Sequence, residues 1–144
     1  RGHPPESEPK PMNLAQVIHQ RWAATEPLND LLPASRVFTG MSVDPTTPYA
    51  VISRQSDRPV AYLNDGSTVD RVGVRVEVFH ENHDAGAAVV HQLKAAFHLA
   101  EFALSGSDKV IGMQRRDDSE HQNEDGLWQF TVDFNCTVYL TSGI

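Results

Sequence analysis

The seven histidines are the residues of this chain most suited to holding a metal ion. His80, His83, His91 and His98 come nearest to forming a cluster. His80 and His83 flank a predicted strand-to-helix turn, whereas His91 and His98 stand seven residues apart on a predicted helix. No HExxH pair is present to set two imidazoles on one helical face. We therefore predict no metal site and no cofactor, and interpret these histidines as surface residues beside an amphipathic helix.

Five acidic residues crowd the segment from Asp117 to Asp125, which superficially resembles a calcium-binding loop. An EF-hand loop needs acidic or amide ligands before its glycine and a glutamate six residues after it. Aligned on Gly126, the first ligand position is His121 and the closing position is Val132, so the match fails. The segment is better explained as a solvated hairpin tip, whose like charges discourage association between sheet edges.

Cys136 is the single cysteine and the candidate thiol nucleophile. It lies on the apolar face of a long predicted strand, where a thiol is expected to be buried and inert. The sequence contains no GxSxG elbow, no phosphate-binding P-loop and no GxGxxG motif. We therefore expect no catalytic residues and predict that the protein is not an enzyme.

Charge and hydropathy exclude two classes of partner. The net charge is −7, and the cations are scattered singly apart from the pair Arg115 and Arg116. Proteins that grip phosphates concentrate cations on one face, so we expect no specific nucleic-acid binding. No apolar run approaches the roughly 20 residues that cross a bilayer, so we expect no membrane partner.

The chain divides into a predicted tail and a predicted domain. Residues 1–11 hold four prolines and no aliphatic side chain, so they cannot bury enough surface to offset the entropy of ordering them. We predict a flexible N-terminal tail over residues 1–12. Residues 13–144 are predicted to form a single α+β domain, since this length suits one hydrophobic core.

Hydrophobic periodicity predicts two helices. Apolar residues recur at steps of three and four from Asn13 to Ala24, with Asn13 as the N-cap. A second apolar stripe runs to Leu104, in a helix that Asn82 caps and Gly106 ends. A further helical turn is predicted over Leu28 to Leu32.

Alternating and β-branched stretches predict the strands. A brief strand begins at Val37 and Phe38, and the longer strands are predicted at Tyr49 to Arg54, Val69 to His80, Lys109 to Arg116 and Leu127 to Leu140. Residues 56–68 contain an Asn-Asp-Gly turn and are predicted to form a long loop or an extended hairpin tip. The predicted fold is α+β, an antiparallel four-stranded sheet with two helices packed on one face.

A resemblance to a known family rests on stretches that follow one another in order. They are PYAVISRQSDRP, an Asn-Asp-Gly turn, RVGVRVEVFHENHDAGAAVVHQLKAAFH, KVIGMQRRDD and WQFTVDFNCTVYL. Together with the N-terminal helix, this pattern resembles the tail-completion (tail-terminator) proteins of tailed bacteriophages, over about Asn13 to Leu140. These are head-tail joining proteins, and the resemblance leaves open an origin in a phage, a prophage or a gene transfer agent.

The resemblance implies a structural role. Its subunits would form a ring, expected to be hexameric, at the head-proximal end of the tail tube. The implied partners are copies of the chain itself, a tail-tube protein and a head-connector protein, and the implied location is the virion tail, or the host cytoplasm during assembly. Carried over by position, the candidate contact residues lie on the 56–68 segment and the outer sheet face: Arg58, Tyr62, Asn64, Asp65, Arg71, Arg75, Phe79 and Tyr139.

Two other readings remain open at this point. The histidines motivate a small α+β module of bacterial origin that binds a small ligand or a metal. A monomer whose outer sheet face is simply solvated would also fit the pattern.

Overall fold

The structure, a computed structural model, describes residues 14–40 and 46–141. The helices are α1 (Leu14–Ala24), α2 (Glu26–Leu31) and α3 (His83–Phe97), with one 3-10 turn at Ala34–Arg36. The strands are β1 (Val37–Thr39), β2 (Tyr49–Tyr62), β3 (Thr68–His80), β4 (Ala100–Ala103), β5 (Lys109–Gln122) and β6 (Trp128–Leu140). The predicted tail over residues 1–12 and the predicted cap Asn13 lie outside the described residues.

The strands form one six-stranded sheet in the order β1-β2-β3-β6-β5-β4. β1 runs parallel to β2, and the other neighbouring strands pair antiparallel. The predicted antiparallel four-stranded sheet with two helices is therefore wrong, because the sheet is mixed and six-stranded and three α-helices are present among the described residues. β1 is the brief strand predicted at Val37 and Phe38, which the predicted sheet did not include, whereas β4 was not predicted. A strand of four residues is too short to show a clear period of two.

The core lies against one face of this sheet. Every second residue of β3 and β6 is buried there, and the apolar stripes of α1 and α3 pack onto them. Trp22 of α1 is fully buried, and its indole nitrogen donates to the Leu32 carbonyl oxygen at 2.8 Å. This bond ties the end of α2 to α1, so the helices and the sheet share one cluster of buried residues.

Helix α3 begins where the sequence predicts and ends earlier. The Asn82 side-chain oxygen accepts from the Ala85 amide at 2.9 Å, which confirms the predicted N-cap. The predicted continuation to Leu104 is wrong, because the chain turns at Leu99 with φ 65° and then enters β4. The alanines and leucines in this segment favour a helix, and pairing with β5 overrides that local preference.

Two strands run further than predicted. β2 continues past Arg54 to Tyr62, so the 56–68 segment is an extended hairpin rather than a loop. β5 likewise continues through most of the acidic segment to Gln122. The backbone ladder persists where the polar sequence shows no alternation.

Candidate functional site

Two hairpins project from opposite corners of the sheet. The first hairpin, residues 54–72, joins β2 to β3 and turns at the end of the sheet where Thr68 pairs with Leu140. The second hairpin, residues 114–132, joins β5 to β6 and turns at the other end, where His80 pairs with Trp128. Because β2 and β5 lie toward opposite edges as well, the two tips are diagonal to each other.

Both projecting strands are exposed on both faces. In a strand that packs on a core, exposure alternates with a period of two. In β2, every residue from Arg54 to Val60 is exposed, and in β5 the same holds from Gln114 to Gln122 except for Asp118. Neither face of these segments is therefore covered by the core, and such segments are typical association surfaces.

The tip of the first hairpin carries exposed apolar side chains. Tyr62 is 76% exposed, Val60 is 46% exposed and Leu63 is 43% exposed. Their proximity makes the tip a candidate contact surface. The sequence analysis selected Tyr62 but not Val60 or Leu63. Apolar side chains next to a predicted turn could have indicated these two residues as well.

The turn below this tip is held by its own hydrogen bonds. The Asp65 carboxylate accepts from the Ser67 amide at 2.9 Å, and Gly66 takes the positive φ of 88° that the turn needs. The hydrogen bonds from Ser67 also lower the pKa of Asp65 below its ordinary value. Asn64, beside it, is exposed. These bonds hold the turn in a defined shape within the subunit.

Arg58 and Arg71 face each other directly across the first hairpin. Both are exposed on the outer face of the sheet. Within the described residues neither guanidinium has a carboxylate partner, unlike Arg54, which pairs with Asp57 at 3.5 Å. Two unpaired like charges in directly opposite positions are mutually destabilising.

The remaining candidate residues of the outer face are engaged within the subunit. Arg75 donates to both carboxylate oxygens of Asp133, at 2.8 Å and 3.3 Å, and this raises the pKa of Arg75. Phe79 stacks on Tyr49 with ring centroids 4.7 Å apart. The Tyr139 hydroxyl shares a hydrogen bond of 3.1 Å with Ser67. The structure therefore groups Arg58, Tyr62, Asn64, Asp65 and Arg71 on one hairpin and leaves Arg75, Phe79 and Tyr139 outside it.

An open groove with a volume of about 680 Å³ lies beside the core face of the first hairpin. Eight apolar side chains line it: Leu14, Ala15, Ile52, Val72, Val74, Leu104, Val138 and Leu140. Asp57 also lines the groove, and burial, followed by a hydrogen bond with Asp70, raises the pKa of Asp57. The groove is formed by residues distant in the sequence, so no local pattern predicted it.

The second hairpin is acidic and contacts α3. Asp118 accepts from Lys94 and from Arg115, and the hydrogen bond from Lys94 is the main cause of its lowered pKa. Glu120 bonds to His83 at 2.5 Å. These ion pairs hold the β5 strand of the hairpin against the helix.

In the described part of the chain, the histidines and the cysteine do not come together as a metal-binding or catalytic site. No group of three or more histidine, cysteine, aspartate or glutamate side chains is gathered there to hold a metal ion. His80 and His98 each accept a backbone amide through Nδ1. Burial raises the pKa of the Cys136 thiol to about 12.

None of the described helices has the length and apolar character that crossing a bilayer requires.

Comparison with known proteins identifies the family of this chain. No curated protein matches the chain. A solved structure of the "Virion of native gene transfer agent (GTA) particle" contains a chain of similar fold, with a TM-score of 0.69 and 13% sequence identity, covering 88% of this chain and 94% of that chain. The family model of "Tail completion protein gp17" matches residues 16–139. The chain therefore belongs to this tail completion family and is a structural protein of the virion tail.

Proposed function

We propose that the protein forms a ring at the head-proximal end of the tail tube and joins the tube to the head connector. Family membership supports the tail role. The observation that supports ring formation is that two chemically different hairpins lie at diagonal corners of the sheet. A contact between two different surfaces of the same chain repeats head to tail, and it closes into a ring when the rotation per subunit allows.

The first hairpin is the principal contact element in this proposal. Its exposed residues Arg58, Tyr62, Asn64 and Arg71 meet the next subunit or the tube, and Asp65 holds the turn that presents them. Arg75, Phe79 and Tyr139 contribute from the outer face through the surfaces that their internal contacts shape. Burial of the apolar tip would supply the main favourable term, at about 25 cal/mol per Å² of apolar surface covered.

The ring acts by contact, without catalysis and without a cofactor. Its partners are copies of this chain, the tail-tube protein and the head-connector protein. The hexameric count follows the resemblance to tail-terminator proteins.

Electron microscopy of the protein mixed with tail tubes tests this function. We expect ring-shaped density at one end of each tube and a stop to further tube growth. Native mass spectrometry of the isolated ring then gives the copy number. A protein that stays monomeric at every concentration, with tubes and without them, would overturn the proposal.

A further inference from the structure

The outer face of the first hairpin carries an uncompensated positive charge. Arg58 and Arg71 are directly opposite, exposed and without a carboxylate partner among the described residues. The repulsion between them is a cost that nothing visible within the described subunit offsets. An anionic group placed between the two guanidinium groups would remove it.

The second hairpin carries the complementary negative charge. Two of its acidic side chains are occupied, since Asp118 pairs with Lys94 and Glu120 with His83. Glu124, in the turn of this hairpin, is exposed and has no cationic partner in the described ranges. Asp117 is also exposed, but it faces Asp133, which already pairs with Arg75 and Arg116.

We propose that Arg58 and Arg71 of one subunit bind Glu124 on the second hairpin of a neighbouring copy. This inference rests on the proposed ring and names its interface. The arginine pair and Glu124 lie on hairpins at diagonal corners of the sheet. In every contact around a ring, one subunit's arginine pair therefore meets the next subunit's Glu124.

The net charge of the chain favours such matching. At −7, two copies repel each other on average. Charge complementarity at the contact offsets this repulsion locally and sets which surfaces meet. The same pairing explains why the arginines remain unpaired within the subunit, since an internal carboxylate would compete with the neighbour's.

A charge-swap experiment tests the interface. The first variant is Arg58→Glu with Arg71→Glu, and the second is Glu124→Lys. We expect each variant alone to assemble at least about tenfold more weakly than the natural sequence, because every contact then sets like charges together. Mixing the two variants should restore rings in which they alternate. Lys109→Glu, which reverses another exposed cation, is the matched control and should assemble normally.

Each outcome of the charge-swap experiment either supports or overturns the proposed interface. Loss of assembly in both variants, with rescue by mixing, supports the interface. Normal assembly of either variant overturns it. Loss without rescue by mixing also overturns it, because the arginines then bind a different acidic partner, such as the tail tube. If the natural sequence forms no ring under any condition, the proposed function itself fails, which is a distinguishable result.

Discussion

Gly86 of α3 lies directly against the ring of Phe130 on β6. A β-carbon built on Gly86 would stand 2.3 Å from Cε1 and 2.9 Å from Cζ of that ring. Both residues are buried, so the helix approaches the sheet at a distance that only a glycine permits here. The close approach also positions the first turn of α3 against the second hairpin, where His83 meets Glu120.

Gly86→Ala should destabilise the protein by about 1–3 kcal/mol, since overpacking a core contact costs this much. The loss outweighs the gain of up to about 1 kcal/mol that alanine brings to a helix interior. Urea denaturation gives the free energy of unfolding. In the Phe130→Leu background the same substitution should cost less, and a stabilised Gly86→Ala protein would contradict the packing described.

Asn82→Ala should lower the free energy of unfolding by about 1 kcal/mol, because the Ala85 amide loses its capping acceptor. Asn82→Ser keeps a capping oxygen and should retain most of the stability. Thermal denaturation of the two variants side by side measures the difference. Equal loss in both would show that the cap is not the source of the effect.

The start of α3 is predictable from sequence because a capping residue acts on its own neighbours. Its end is not, since the residues from Ala100 to Leu104 favour a helix locally. The deciding interaction is the ladder between β4 and β5, which includes Phe102 with Val110. A local pattern contains no information about that partner.

The lengths of β2 and β5 show the same limit. Alternation arises from burial on one face, so it disappears where Arg54 to Val60 meet solvent on both sides. The hydrogen-bonded ladder nevertheless continues to Tyr62. Position along the chain was enough to select Arg58 and Tyr62 as candidate contacts, whereas the groove beside them depends on residues that only the tertiary fold brings together.

His83 should make stability depend on pH. The hydrogen bond to Glu120, and then the one to Asp84, raise the pKa of His83 above its ordinary value. A raised folded pKa contributes stability that is complete below the unfolded pKa and is lost as pH rises through the folded pKa. His83→Gln should therefore destabilise the protein more at about pH 5.5 than at about pH 8.5.

Nuclear magnetic resonance titration of the His83 ring checks the raised pKa directly. His91→Gln removes an exposed histidine that has no ion-pair partner in the described residues, and it serves as the control for this series. A destabilisation by His83→Gln that grows with rising pH would have the wrong sign and would refute the ion pair.

Cys136 should resist thiol reagents in the folded protein. The thiolate is the reactive form, and burial raises the pKa of this thiol to about 12. At pH 8 the thiolate fraction is then about one in ten thousand. Iodoacetamide labelling followed by mass spectrometry should show modification after denaturation and almost none before it. Ser119→Cys, at an exposed position of β5, should label rapidly on the same native protein.

Comparing Leu63→Ser with Leu31→Ser tests whether the tip of the first hairpin lies at the contact. Leu63 is on that tip, and Leu31 is an exposed leucine on α2 that serves as the control. The two leucines are 43% and 44% exposed, so each substitution removes a similar apolar surface from water in the isolated subunit. Both variants should therefore unfold at nearly the same denaturant concentration. If the first hairpin is covered in the ring, Leu63→Ser additionally loses the apolar area buried there and should weaken ring formation several-fold, at about 25 cal/mol per Å² lost. Leu31→Ser, on α2 and away from either hairpin, should assemble normally, and equal effects of the two on ring formation would show that the hairpin tip is not at the contact.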